Sequence, residues 1–347
     1  QMERREIYNY LISYAEKSGV KFEYEQEIKA PVMLGNRVVG IETDKGEFLA
    51  DLVIDACGLN SPVRSNLPKH LGIQNNPAEY EQFYVYRAFF NKTAEVDESE
   101  KFKIILLPNN ELGISWVATE EEHTDVLIGR FKKFDLDYAN EQIELLRKSN
   151  DSIGTEITRG GDFANIPVRQ PLGIMVADGY AAIGDSAFMT MPLIGSGIAN
   201  AIKASKILAD TVISDKNGEF TAKTLWGYQE EYYKKIGAKL APIACCKKLL
   251  LTLKPEEIDY CFSSGMITEG DITIGADFSN MSAALEGDMS DMVNKIKTLC
   301  KDPNLLKKLL PVVGKISKAV TACAMMPKKW NRDRVLAWSK VYIYSFK

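Results

Sequence analysis

A chain of 347 residues, 46% hydrophobic and 26% charged, is long enough for one large or two ordinary domains around buried cores. A net charge of −4 and an isoelectric point near 5.6 give no general attraction to phosphate backbones or anionic lipid, which argues against nucleic acid as a partner. No apolar run approaches the ~20 residues that span a bilayer and no signal-peptide pattern opens the chain, so it reads as cytoplasmic, with peripheral membrane contact left open.

The chain enters a helical pattern at once, with Ile7, Leu11, Tyr14 and Ala15 on one face and Gly19 as the stop. So abrupt an opening is expected of a chain with something upstream of Gln1. Val20–Ile28 and Arg37–Thr43 read as strands, and Asp44-Lys45-Gly46 as a hairpin turn. Residues 50–58, Ala-Asp-Leu-Val-Ile-Asp-Ala-Cys-Gly, form a short apolar strand ending in glycine, as expected of a strand buried on both faces of an α/β sheet. From Phe83 to Arg130 the texture changes to β-rich stretches: 83–90, 102–107, 112–119 and 124–131. An inserted antiparallel sheet is the simplest reading. A helix over 138–148 follows, and 157–167 leads back to a core strand at 179–185. A helix over about 197–213 comes next, with Ile198, Ala201, Ile202, Ser205 and Leu208 on its apolar face. Residues 221–347 are mostly helical by pattern.

The chemistry concentrates in residues 184–201, where an acid ends a strand, a proline and glycine loop follows, and a helix begins. Asp185 can accept hydrogen bonds from sugar-type hydroxyls, and glycines let backbone approach a flat ring. The helix N-terminus favours an anionic edge. The six cysteines, Cys57, Cys245, Cys246, Cys261, Cys300 and Cys323, include no C-x-x-C pair and no histidine at zinc-ligand spacing, so no metal site is expected and the thiols read as buried or idle. Cys57, at a strand end, reads as a packed small side chain. His123 sits in a charged turn and His70 in a polar stretch, neither placed as a base.

Gly184-Asp185 with Pro192, Ile194, Gly195, Ser196, Gly197 and Ile198 resembles the second FAD motif of the para-hydroxybenzoate hydroxylase-like flavoproteins. Residues 50–64 resemble a further motif of that superfamily, and the interval between the two suits an inserted substrate domain. Leu112–Ala118 with Val126–Gly129 is similar to the tryptophan-bearing region of geranylgeranyl reductases, although Val117-Ala118 replaces that family's phenylalanine-proline pair. Cys57-Gly58 stands where the aromatic hydroxylases of the superfamily carry aspartate-glycine, which weakens a hydroxylase reading. No G-x-G-x-x-G occurs in the chain, so the pyrophosphate-binding turn is expected upstream. The resemblance also makes Arg4 or Arg5 a weak candidate for approaching the flavin.

The resemblance implies an α/β (α+β) protein: an N-terminally incomplete, Rossmann-like FAD-binding domain (1–75 and 166–215), an inserted antiparallel-sheet substrate domain (76–165) and a helical C-terminal region (216–347). It implies FAD as cofactor and hydride transfer through flavin N5 to a hydrophobic, prenyl-like small molecule; the sequence leaves the electron donor open among NAD(P)H, a ferredoxin and a quinone. Tyr84, Tyr86 and Trp116 are the expected substrate-pocket residues, although aromatics in sheets are more often plain core. The alternatives are a flavin monooxygenase or halogenase, and a flavin-free fragment or binding subunit.

Overall fold

The computed structural model describes residues 4–74, 77–193, 195–265 and 303–347. Helix α1 (Arg4–Lys17) comes first, and its expected inward face stays largely in solvent, with Leu11 44% and Tyr14 65% exposed. Val20–Ile28 forms no strand, contrary to its apolar pattern. Pairing starts only at β1 (Ile28–Leu34), antiparallel to β2 (Arg37–Thr43), which turns through Asp44 and Lys45 into β3 (Gly46–Leu49). The β2 ladder ends at Ile28↔Thr43; Glu27 still exchanges hydrogen bonds with Asp44, but before it Glu25 adopts a left-handed φ of 56° that a strand excludes.

Strand β4 (Val53–Asp55) is followed by the short helix α2 (Pro62–Ser65), whose cap Ser61 accepts the Arg64 N–H at 3.0 Å. Next come β5 (Gln82–Lys92), β6 (Phe102–Leu106), β7 (Gly113–Thr119) and β8 (His123–Arg130), then helix α3 (Leu136–Arg147) and β9 (Ile153–Pro167). These five strands form one antiparallel sheet in the order β6-β7-β8-β5-β9. Strand alternation divides β5 cleanly. Tyr86, Ala88 and Phe90 pack with Ala139, Ile143 and Leu146 of α3, while Phe83 and Val85 pack in a separate cluster with Leu127 and Phe131.

Beyond the sheet, β10 (Val176–Ala177) and β11 (Tyr180–Ala182) make a hairpin, and β11 lies parallel to β4 with Ala182 opposite Asp55. Parallel pairing across so long an interval requires a crossover, and the five-stranded sheet fills it. The expectation that β4 is buried on both faces fails, because Ile54 is 51% exposed while Asp55 is buried. Cys57, just past the strand, is exposed instead of packed.

Helix α4 (Ile198–Ser214) buries Asn200, Ala204, Ile207 and Leu208. The predicted stripe is therefore rotated: Ile198 and Ile202 are 41% and 52% exposed, because the helix rests on its neighbour α5 (Ala222–Tyr232) through the adjoining face. A π-helical turn, Tyr233–Gly237, joins α5 to α6 (Ala238–Leu250), and α7 (Pro255–Ser263) follows. The chain ends in α8 (Pro303–Ala324) and α9 (Arg332–Tyr344). The largest core joins residues 172–191 to these helices. Buried tyrosines of α5 and the π turn reach across it: Tyr228 donates to Ala182 O at 2.9 Å and Tyr233 to Leu172 O at 2.6 Å.

Candidate functional site

β4 and β11 run in parallel and end together, which leaves a crevice beyond their carboxyl ends of the kind where open α/β sheets bind ligands. A cleft of about 870 Å³ opens there. One wall is Ala56 and Gly58 after β4, with Ile183, Gly184 and Asp185 after β11; the opposite wall comes from β5 and β9 through Arg87, Phe89, Arg159, Ala164, Asn165 and Ile166.

Beneath the first wall, Asp55 is buried and fully engaged. Ser61 Oγ and Tyr180 OH both donate to its Oδ2, at 2.6 and 2.8 Å, and the Cys57 N–H donates to Oδ1 at 3.0 Å. Arg64 is buried beside it; the guanidinium donates to the carbonyls of Ser186 and Leu59 and lies 4.6 Å from the Phe188 ring centroid. Arg169 reaches the same ring, also at 4.6 Å, and is paired with Glu81 at 2.8 Å. These contacts fix the backbone that carries the glycine wall.

The chain leaves β11 through Gly184, at φ +62°, a conformation that a side chain would strain. A single 3₁₀ turn over Gly184–Ala187 brings Asp185 to the cleft, where Thr190 donates its hydroxyl to Asp185 Oδ1. Burial raises the Asp185 carboxyl above its ordinary value, and the Thr190 bond opposes that rise. The loop then closes on itself, Met191 N–H donating to Ser196 O at 2.9 Å and Gly195 N–H to Met191 O at 3.0 Å. Asn200 secures it from α4 by donating to Met189 O at 3.0 Å. Gly197 is the N-cap of α4, with no side chain capping the first turn, so the free N–H groups and positive pole of the helix stand at the cleft wall.

The sequence-predicted residues fall unevenly around this cleft. Gly184, Asp185, Gly195, Ser196, Gly197 and Ile198 line it, Pro192 is buried just behind, and Ile194 lies outside the described residues. Tyr86 packs toward α3 against Phe163, with ring centroids 5.0 Å apart; Tyr84 shares its strand face by alternation. Trp116 stands on the other face of the sheet, 5.5 Å from the Arg87 guanidinium. None of these three aromatics touches the cleft. From α1, Tyr8 lines it; Arg5 does not, and the Arg4 side chain lies outside the described residues.

Sequence reading passed over Arg87 and Arg159. Arg87 forms a bidentate pair with the buried Asp125, at 2.8 and 2.6 Å, and the two arginines flank the Phe89 ring at 4.8 and 3.9 Å. A lone cation inside the apolar run Phe83–Phe90 was the available signal. His123, expected in a solvent turn, begins β8 instead and is partly buried against Phe89, 3.0 Å from Glu120.

No protein-family model matches the chain. It is 24% identical over 299 residues to the digeranylgeranylglycerophospholipid reductase of Sulfolobus acidocaldarius, an alignment that covers 81% of this chain and 64% of that protein. The chain thus spans less than two thirds of that relative. A geranylgeranyl bacteriochlorophyll reductase-like protein from Thermoplasma acidophilum superposes with a TM-score of 0.63 at 18% identity, over 89% of this chain and 75% of the other. A flavoprotein/dehydrogenase from Cytophaga hutchinsonii gives 0.59 at 14% identity, over 87% and 76%. The chain therefore has the mixed α/β fold of these two structures and is similar in sequence to a digeranylgeranylglycerophospholipid reductase.

Proposed function

We propose that this chain supplies the ribityl- and ring-facing wall of an FAD site, together with the substrate-facing sheet, in a reductase acting on a hydrophobic, prenyl-type small molecule. In this reading residues 1–75 and 166–215 serve the flavin, 76–165 the substrate, and 216–347 form a helical layer behind them. The relatives' names point to that substrate class. One observation within the molecule carries the reading: two parallel strand ends and a glycine-lined helix start converge on a cleft whose far wall sets Phe89, Ala164 and Ile166 among Arg87, Arg159 and Asn165.

The residues present fit a flavin. The cleft volume is within the range of cofactor and ligand sites. Gly184 and Gly195 have left-handed backbones, and a Cβ built on either would come no nearer than 3.8 Å to another side chain, leaving room along that wall for a flat ring. Bound there, the flavin would supply hydride transfer through N5. Asp185, an acceptor at the strand end, would take hydroxyl hydrogen bonds from the ribityl chain. The α4 N-terminus would lower the cost of negative charge on the ring edge. Phe89, Ala164, Ile166 and Ile198 would exclude water from a hydrophobic chain and hold it against the ring.

The test is the visible absorbance spectrum of the purified full-length natural protein beside its Asp185→Ala variant. Flavin bands in the first, reduced in the second, are expected. No flavin in the wild type, even after FAD is added, would sink the reading. Oxygen-dependent consumption of NAD(P)H with halide or hydroxyl transfer would move the protein to the monooxygenase or halogenase class.

A further inference from the structure

The net charge of −4 conceals a strong asymmetry. Residues 303–347 carry ten lysines and arginines against a single acid, Asp333. Helix α8 opens that segment, and its orientation is fixed from the inside: Leu305, Val312, Ala319, Ala322 and Cys323 are buried, Lys308 donates to Thr252 O at 2.8 Å and pairs with Glu257, and Trp338 donates to Ala322 O at 2.7 Å. The remaining face points to solvent and nevertheless carries an aliphatic strip along one side. Leu310, Val313 and Val320 are 62%, 57% and 48% exposed, Met325 just past the helix end is 65% exposed, and the residues between them on that side include Gly314, Ser317 and Ala324, without charge. Exposed lysines border the strip: Lys307 and Lys318 on the helix, Lys328 and Lys329 in the turn after it.

We propose that this face of α8, with its bordering lysines, is a docking surface for an anionic phospholipid bilayer. Two physical requirements meet at such a surface. The lysines seek phosphate, and exposed aliphatic groups seek a low-dielectric phase, which the boundary between headgroups and acyl chains supplies to a helix lying in its plane. A nucleic acid would answer the charge and leave the aliphatic strip in water. Among the described residues no helix is long and apolar enough to cross a membrane, so the contact is peripheral. This surface on α8 and the turn after it lies outside the cleft and does not depend on the flavin.

Co-sedimentation of the full-length protein with vesicles of mixed phosphatidylglycerol and phosphatidylcholine, and of phosphatidylcholine alone, tests it. Binding to the mixed vesicles and little to the neutral ones is expected. Lys307→Gln and Lys318→Gln should each weaken binding roughly fivefold. Leu310→Asp with Val313→Asp should abolish binding at unchanged melting temperature, since both side chains are exposed, whereas Leu49→Asp, exposed on β3, should bind as wild type. Binding to neither vesicle overturns the proposal. So does loss in the lysine variants but not in the aspartate pair, which would indicate an acidic partner. A dimer that the aspartate pair splits without changing vesicle binding would assign the face to a second copy.

Discussion

At the scale of single residues, the site depends on contacts too close for side chains to intrude. A Cβ added at Gly197 would sit 2.6 Å from Thr190 Oγ1 and 3.3 Å from Asp185 Oδ1. Gly197→Ala therefore has to push Thr190 off Asp185 or shift the first turn of α4. Flavin retention is expected to fall about tenfold, the equivalent of roughly one lost hydrogen bond, as read by titration of the apoprotein with FAD. Unaltered retention would mean that the Thr190–Asp185 contact plays no part in holding the cofactor. The glycines and Asp185 were legible in the sequence because backbone needs are local: a strand end, a turn and a helix start follow one another within a few residues. Arg87 and Arg159 were not, since 72 positions separate them and only the β5–β9 pairing brings Arg159 to Phe89 beside Arg87.

At the scale of elements, sequence periodicity gave the existence of α4 and missed its phase. A helix with apolar residues on two adjoining sides has no unique inward face until a neighbour chooses one. Here α5 packs on the side of Ala204, Ile207 and Leu208 and leaves Ile202 in solvent. Leu208→Ala should cost about 2–4 kcal/mol in urea unfolding, whereas Ile202→Ser should stay within about 0.5 kcal/mol. Equal costs would mean that the sequence-derived face is the buried one after all. The strands β5 to β8 lie within two residues of their expected bounds, because each is a β-branched or aromatic run closed by polar turns. β1 was misplaced by most of its length, as Val20–Ile28 has strand-like composition but turns at the left-handed Glu25 and joins the β2 ladder only at Ile28.

At the scale of the whole molecule, Lys247 ties the helical layer to the sheet. Its ammonium leaves α6 and donates to Tyr80 O at 2.5 Å and Val168 O at 2.6 Å, near the two ends of the inserted sheet. Burial pushes this lysine down to about 8, with Glu81 resisting the fall. The folded value lies below the unfolded one, so between about pH 8 and pH 10.5 the unfolded state binds more protons and folding stability rises with pH. Relative to Lys247→Met, the wild type should gain up to about 3 kcal/mol between pH 7 and pH 10.5, measured by denaturant titration at each pH. A flat difference would show that the ammonium is as well solvated in the folded protein as in the unfolded chain.

By itself the sequence determined the order of elements, the antiparallel character of the inserted sheet and the glycine-and-acid loop that opens α4. Each of these follows from side-chain period, turn chemistry or backbone freedom over a few neighbouring residues. Tertiary structure decided which face of α4 is buried, that Tyr86 packs under α3 while Arg87 enters the cleft, and that β4 meets β11 so that Asp55 binds Ser61 and Tyr180. Those outcomes depend on contacts between residues far apart in the chain, and only packing and strand pairing select among the arrangements that the local pattern allows equally.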